Sequence, residues 1–276
     1  MQINFNVKKE YECSLANSLL VARRRDVMNS TIETLLNHRS IRKFKEEALT
    51  DEQIHTLVRS AQAASTSSFI QAYSIIGVKD IEKKKKLAEV AGNQQYVAEN
   101  GHLFIFCGDV KRHAIIADMY QESFRDTLEN TETFMVAVID ATLAAQNAVI
   151  VAESMGLGVC YIGGLRNNLK AVNDILHIPE QVMPLFGLVV GYPDQNPDPK
   201  PRLPLENVYH EEGYQTDTAL FKAQLTDYDE MISSYYHERT NGKRSDKWTE
   251  QMVQTLKTPR RAYMKQYVEG QRFTLK

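Results

Sequence analysis

Cysteine is scarce in this 276-residue chain. There are three, Cys13, Cys107 and Cys160, widely spaced and never paired as C-x-x-C. That excludes a zinc ribbon and a thioredoxin-type redox motif, makes a disulfide framework unexpected at this size, and points to a reducing cytoplasm. An excess of charge of one sign is also missing. Lys+Arg number 33 and Asp+Glu 35, a formal net charge of −2, so the basic surplus of a dedicated nucleic-acid binder is absent. No G-x-S-x-G elbow and no G-K-S/T loop occurs, and the G-L-G at 156–158 precedes its strand, which breaks the order of the dinucleotide fingerprint. The seven histidines show no metal-ligand spacing, so no metal site is expected. The most apolar stretch, 134–155, is interrupted by Asp140, Gln146, Asn147 and Glu153, which argues against a membrane span. The apolar run at 18–22 is too short for a secretory signal.

What is present is ordinary for a globular protein: 43% hydrophobic and 25% charged residues, in a chain long enough for one or two domains with a core needing no staples. Residues 1–27 read as an extension, either a surface arm or the product of a mis-assigned start, because Met28 opens a fresh helical pattern, with a helix at 31–36. Thr50-Asp51-Glu52-Gln53 predicts a capping box before a helix at 54–63. Buried strands are expected at 73–78 (YSIIGV), 103–107 (LFIFC), 159–162 and 184–191 (PLFGLVVG). Lysine-rich 81–90 reads as a surface helix, and 168–176 as another helix. The longest periodic helix runs from 133 to 155 and is ended by Gly156. Thr133, Asp140, Asn147 and Ser154 recur every seven residues as one polar stripe on an otherwise apolar cylinder, so this helix should be buried on most sides, in the core centre or in a dimer interface. From residue 209 the chain is polar and helical, with aromatics at Tyr228, Tyr235 and Tyr236 that look exposed. Strands separated by helices give a layered α/β or α+β fold.

Several constellations could carry chemistry. His38-Arg39-Ser40-Ile41-Arg42 gathers guanidinium, imidazole and hydroxyl donors in one short segment, suited to phosphate or else a basic surface loop. Ser65-Thr66-Ser67-Ser68-Phe69 with Gln71 offers small hydroxyl residues beside a flat ligand, or a plain polar connection. Tyr161-Ile162-Gly163-Gly164 lets main-chain N–H groups face a ligand. In Asp198-Pro199-Lys200-Pro201-Arg202 the prolines fix two cations on one face, or form a linker with incidental charge. Arg239 and Arg244, with Arg260 and Arg261, suit a second phosphate or a solvated basic face.

Taken in order, these segments resemble the oxygen-insensitive NADPH nitroreductase and FMN reductase family of bacteria. The matching stretches are H-R-S-I-R-K-F, A-A-S-T-S-S-F-I-Q, A-Q-N-A-V-I-V-A-E-S-M-G-L-G, Y-I-G-G-L-R-N-N, P-L-F-G-L-V-V-G and K-P-R-L-P. The similarity runs from Met28 to the C-terminus. The resemblance implies an α+β fold with a central mixed sheet flanked by helices, a single FMN-binding domain over 28–276, a C-terminal helical excursion at about 209–276 near the NADPH site, and an obligate homodimer with two FMN sites at its interface. It assigns His38, Arg39, Ser40, Ile41 and Arg42 to FMN, with Arg39 and Ser40 at the phosphate and Arg42 at the pyrimidine edge. Thr66 and Ser67 fall on the family's serine stretch. Gln94 meets the ring edge, Tyr161, Ile162, Gly163 and Gly164 line one ring face, and Lys200 and Arg202 complete the phosphate and ribityl contacts. Arg239, Arg244 and Arg261 correspond to the NADPH-phosphate region.

The implied activity is hydride transfer from NADPH, with NADH as an alternative donor, through FMN to a nitroaromatic, quinone or free flavin, by a ping-pong mechanism in which no side-chain nucleophile is needed. A rival is a flavin-binding protein of the same fold with a sensor or other non-reductase role. A cofactor-free interaction module is a second.

Overall fold

The computed structural model describes residues 28–274; the expected extension at 1–27 lies outside them. Four strands form one sheet: β1 (Tyr73–Val78), β2 (His102–Asp109), β3 (Gly158–Ile162) and β4 (Val182–Gly191), in the order β1-β2-β4-β3. All three ladders are antiparallel. The expected mixed character of the sheet is therefore reduced to one isolated parallel bridge, Ser40 with Val159.

Side chains on a strand alternate between the faces of the sheet. In β2, Phe104 and Phe106 enter the larger core, while Leu103, Ile105 and Cys107 enter the other. All eight residues of β2 are buried, which is why this segment reads as a continuous apolar run rather than an alternating one. Pro184 sits inside β4 where the register slips between Phe106 and Cys107. A bulge is where a strand tolerates a residue without an N–H.

The helices are α1 (Ser30–Leu36), α2 (Asp51–Gln62), α3 (Ile81–Val90), α4 (Lys111–Tyr120), α5 (Arg125–Leu128), α6 (Thr131–Ser154), α7 (Leu169–Leu176), α8 (Thr218–Arg239), α9 (Trp248–Leu256) and α10 (Met264–Gly270). The capping box that opens α2 is present: Gln53 N donates to Thr50 Oγ1 and Thr50 N to Gln53 Oε1. α3 is not wholly a surface helix. Lys84 is buried and its ammonium donates to Asn100 Oδ1 at 3.0 Å.

α2 and α6 cover one face of the sheet, α3 and α7 the other. α6 is long and apolar enough to cross a membrane. Nine of its residues, Asp140 among them, are nonetheless buried in the core shared with β1, β2 and β4. It is not buried on most sides within one chain. Met135, Ile139 and Leu143, spaced i, i+4 and i+8, are 51%, 46% and 44% exposed and form one apolar stripe. Gly156, at φ +75°, ends the helix two residues past Ser154; a side chain there would be strained.

After β4 the chain departs from the sheet. α8 carries Tyr228, Ile232 and Tyr236 at i, i+4 and i+8, and these close on Leu203 and Trp248 as a small separate core. Tyr228 and Tyr236 are thus buried, at 3% and 8% exposure, contrary to their polar surroundings in sequence. The last helix returns to the body. Val268 and Phe273 join the main core, and Arg272 pairs with the buried Glu129.

Candidate functional site

The segment after α1 runs beside β3. Ile41 N donates to Val159 O at 2.8 Å, which forms the Ser40–Val159 bridge. A strand alternates sides, so Ile41 points into the core at 5% exposure while Arg42 is exposed. Ile162 is likewise buried at 1%. Ile41 and Ile162 can therefore offer a ligand only their backbone. His38 Nδ1 lies 2.7 Å from Glu153 Oε1 in the last turn of α6. Arg39 donates to Asn37 O, Asn196 Oδ1 and Pro197 O, the second at 2.8 Å.

Arg42 lies near enough to the Tyr96 hydroxyl and the Cys160 thiol for its charge to act on both. Burial pushes both of these groups above their ordinary range, and the guanidinium acts against that shift in each. Tyr96 donates to Gln94 Oε1, and Gln94 Nε2 to Ala91 O at 2.7 Å. The same Ala91 carbonyl lies 2.6 Å from where a Cβ on Gly164 would stand, so only glycine permits this approach. Arg42, Gln94 and Gly164 are thereby joined through Tyr96 and Ala91. No side chain caps the short turn over Gly163–Asn167, which leaves its first N–H groups without intrahelical acceptors. Tyr161 is 37% exposed, and its ring meets Phe186 edge-on at 5.3 Å. Burial of the hydroxyl pushes its pKa up to about 12.

The other predicted residues lie elsewhere. Thr66 and Ser67 precede β1, and Ser67 N donates to Asp140 on α6. Asp140 and Glu153 are thirteen residues apart on one helix, or about 20 Å along its axis. Lys200 Nζ donates to the Tyr236 hydroxyl at 2.9 Å, and Arg202 to Lys200 O. Lys200 lowers the Tyr236 pKa. Arg244 stacks over the Tyr236 ring at 4.5 Å and Arg239 donates to Tyr235 Oη at 2.7 Å. Arg239 and Arg244 lie on the excursion, with Lys200 in the segment that leads into it packed against Tyr236, whereas Arg261 bonds Asn167 on the body.

Sequence reasoning did not single out Tyr96, Glu153 or Asp140, which contact the predicted residues Gln94, His38 and Ser67. Asp140 had a signal, its place in the polar stripe of α6. The others became visible only through their partners. A groove of about 1000 Å³ includes Arg42 and Tyr96 but also Lys79, Lys84 and His102, and neither Ser40 nor Tyr161. No group of three or more His, Cys, Asp or Glu able to hold a metal occurs among the described residues.

Residues 35–192 match the nitroreductase family model, and residues 200–276 match the model of that family's C-terminal domain. A Bacillus subtilis protein named FMN reductase (NADPH) is 56% identical over 246 residues, covering 89% of this chain and 99% of that protein. The structure of Bacillus megaterium NfrA1 matches with a TM-score of 0.88 at 60% identity, over 89% of this chain and 100% of that one. The NADPH:FMN oxidoreductase of Vibrio harveyi, solved with NAD+, matches with a TM-score of 0.80 at 39% identity, over 90% of this chain and 100% of that one.

Proposed function

The chain belongs to the nitroreductase family, and from that premise we propose that it is an NADPH-dependent FMN reductase and nitroreductase. It takes hydride from NADPH, and passes two electrons to a nitroaromatic, a quinone or free flavin by a ping-pong mechanism. The observation that carries this reading is the bridge of Ser40 to β3, which sets Arg42 near Tyr96, with Tyr96 bonded to Gln94, and Gln94 to the Ala91 carbonyl that Gly164 approaches.

The donor set fits FMN. Segment 38–42 supplies two guanidiniums, an imidazole and a hydroxyl, which suit a phosphate and the polar edge of a ring. The close approach at Gly164 suits a flat face. Arg39 and Ser40 would hold the phosphate, Arg42 the pyrimidine edge, Gln94 the ring edge, and Tyr161 to Gly164 one ring face. Bound FMN supplies the two-electron redox chemistry. Arg42, exposed in the single chain and always charged, would offer FMN a cation that stabilises negative charge on the reduced ring. Tyr161, with its high pKa, stays protonated at neutral pH and donates to Gln146 Oε1 at 3.3 Å, which fixes its ring.

Thr66 and Ser67 stand far along α6 from His38, and Lys200 and Arg202 lie in the segment between β4 and the excursion. We propose that a second copy of the chain brings these groups to the same cofactor. The exposed stripe of Met135, Ile139 and Leu143 supports a homodimer built on α6. The excursion, which covers most of 209–276, would carry Arg239 and Arg244 to the phosphates of NADPH, with Arg261 on the body beside Asn167. Cys107 and Cys160 are free and buried, in keeping with a cytoplasmic protein.

The test is the absorption spectrum of the purified protein before and after anaerobic NADPH. Flavin bands that bleach are expected. Bands that persist would overturn the electron donor, and a protein that takes up no FMN would overturn the reading.

A further inference from the structure

Asp140 is fully buried and is used by none of the roles above. Its carboxylate accepts from two backbone amides, Ser67 N at 2.9 Å and Ala72 N at 3.0 Å. Between those two residues, three that are not glycine sit in the left-handed region: Ser68 at φ 49°, Phe69 at φ 60° and Gln71 at φ 57°. This conformation is disfavoured for L side chains and persists only where the surroundings over-determine it.

A second clamp comes from α4. Arg112 on α4 donates to Gln71 O at 3.0 Å and to Tyr73 O at 2.5 Å. His113 Nε2 lies 2.9 Å from Ile70 O, and since a carbonyl only accepts, that nitrogen is the donor. Asp109 accepts from Ser74 Oγ and from Lys111 N, which fixes the start of α4.

The strained residues gain little packing in exchange. Ser68, Phe69 and Gln71 are exposed in the single chain, Phe69 at 80%. A loop that needed only to connect α2 to β1 would relax, and would not require a desolvated carboxylate. Strain held by a buried charge on exposed residues is the mark of a segment shaped for a ligand.

We propose that Asp140 is a positioning residue for the cofactor: together with Arg112 it locks the 66–72 loop in the one shape that presents Thr66 and Ser67 to FMN. This rests on the reading that the two hydroxyl residues meet FMN.

The test has two arms. In the first, amide hydrogen exchange of the 66–72 loop is compared between wild type and Asp140→Asn without added FMN. The variant is expected to exchange at least about tenfold faster at whichever of Ser67 and Ala72 loses its acceptor, since the amide keeps only one of two acceptor oxygens. In the second arm, FMN is titrated into apoprotein and followed by quenching of flavin fluorescence. Affinity is expected to fall about tenfold in Asp140→Asn and more in Asp140→Ala. Val149→Ala, a fully buried change on the same helix away from the loop, serves as the stability control and should bind FMN as wild type does. Affinity in Asp140→Asn equal to that of Val149→Ala at matched thermal stability would overturn the proposal. Should Asp140→Asn not fold, Arg112→Ala replaces it, because Arg112 is 54% exposed; several-fold weaker binding is expected and unchanged binding overturns the proposal. If wild type binds no FMN, the functional reading fails. If it binds FMN while the variants exchange and bind like wild type, only the clamp fails.

Discussion

The His38 imidazole and the Glu153 carboxylate, 115 residues apart in sequence, lie 2.7 Å from each other. The contact ties the last turn of α6 to the segment that carries Ser40 and Arg42. A carboxylate at a helix C-terminus opposes the helix dipole by about 0.3–1 kcal/mol, so Glu153 is badly placed for the stability of α6. Glu153→Gln should leave the melting temperature unchanged or raise it, while weakening FMN binding about threefold to tenfold. Calorimetry and an FMN titration on the same preparation check the two signs. A lower melting temperature with unchanged affinity would assign the pair to stability alone.

Arg42 is exposed in the single chain, so its removal should not unfold the protein. Arg42→Ala should weaken FMN binding by roughly thirtyfold, the equivalent of about 2 kcal/mol for one charge-assisted contact, or slow reduction by NADPH to a similar extent. Stopped-flow reduction and FMN content measure both. Wild-type values for the two would remove Arg42 from the site.

Ile139 lies at the centre of the exposed stripe on α6 and is 46% exposed. If the stripe is covered by a second copy, Ile139→Glu buries an unpaired charge and should weaken dimerisation by at least about a hundredfold. Sedimentation velocity reads the assembly. FMN should be lost together with the dimer, since the proposed site draws Thr66 and Ser67 from one copy and His38 to Arg42 from the other. A variant that remains dimeric would put the interface elsewhere.

His102 is 2% exposed and its Nε2 has no partner. Burial, and then the nearby Lys84 and Lys79, bring its pKa down from 6.5 to about 4, with Asp51 acting weakly the other way. The folded state thus binds its proton later than the unfolded chain does. The neutral ring costs nothing electrostatically above pH 6.5, and stability is lost as the pH falls from 6.5 toward 4. The loss over that window is on the order of 3 kcal/mol. His102→Gln should flatten the acid limb of the stability curve by that amount in urea unfolding at pH 7 and pH 4.5. Parallel curves for the two proteins would contradict it.

The strands and the larger helices were legible because each is written in local chemistry. The apolar run of β2, the Thr50–Gln53 box and the stop at Gly156 all act within a few residues. The donor segment 38–42 and the paired glycines were legible for the same reason, since residue type alone states what they can bind. The helix at Lys111–Tyr120 was missed. It has no side-chain cap, and its amphipathic pattern is weak. Tyr228 and Tyr236 were misjudged because the core they fill is made with Leu203 and Trp248, which no window of sequence brings beside them.

The sequence by itself determined which groups this protein can offer a ligand: guanidiniums, hydroxyls and close backbone, with no nucleophile triad and no metal cluster among them. Tertiary structure decided which of those groups meet. It turned Ile41 and Ile162 inward, because a strand must alternate. It drew Lys200 onto Tyr236. It set Glu153 against His38, and bent 66–72 around a buried Asp140. Those outcomes depend on contacts across 36 to 115 positions, and a contact at that range is fixed by packing, which the local order of residues does not record.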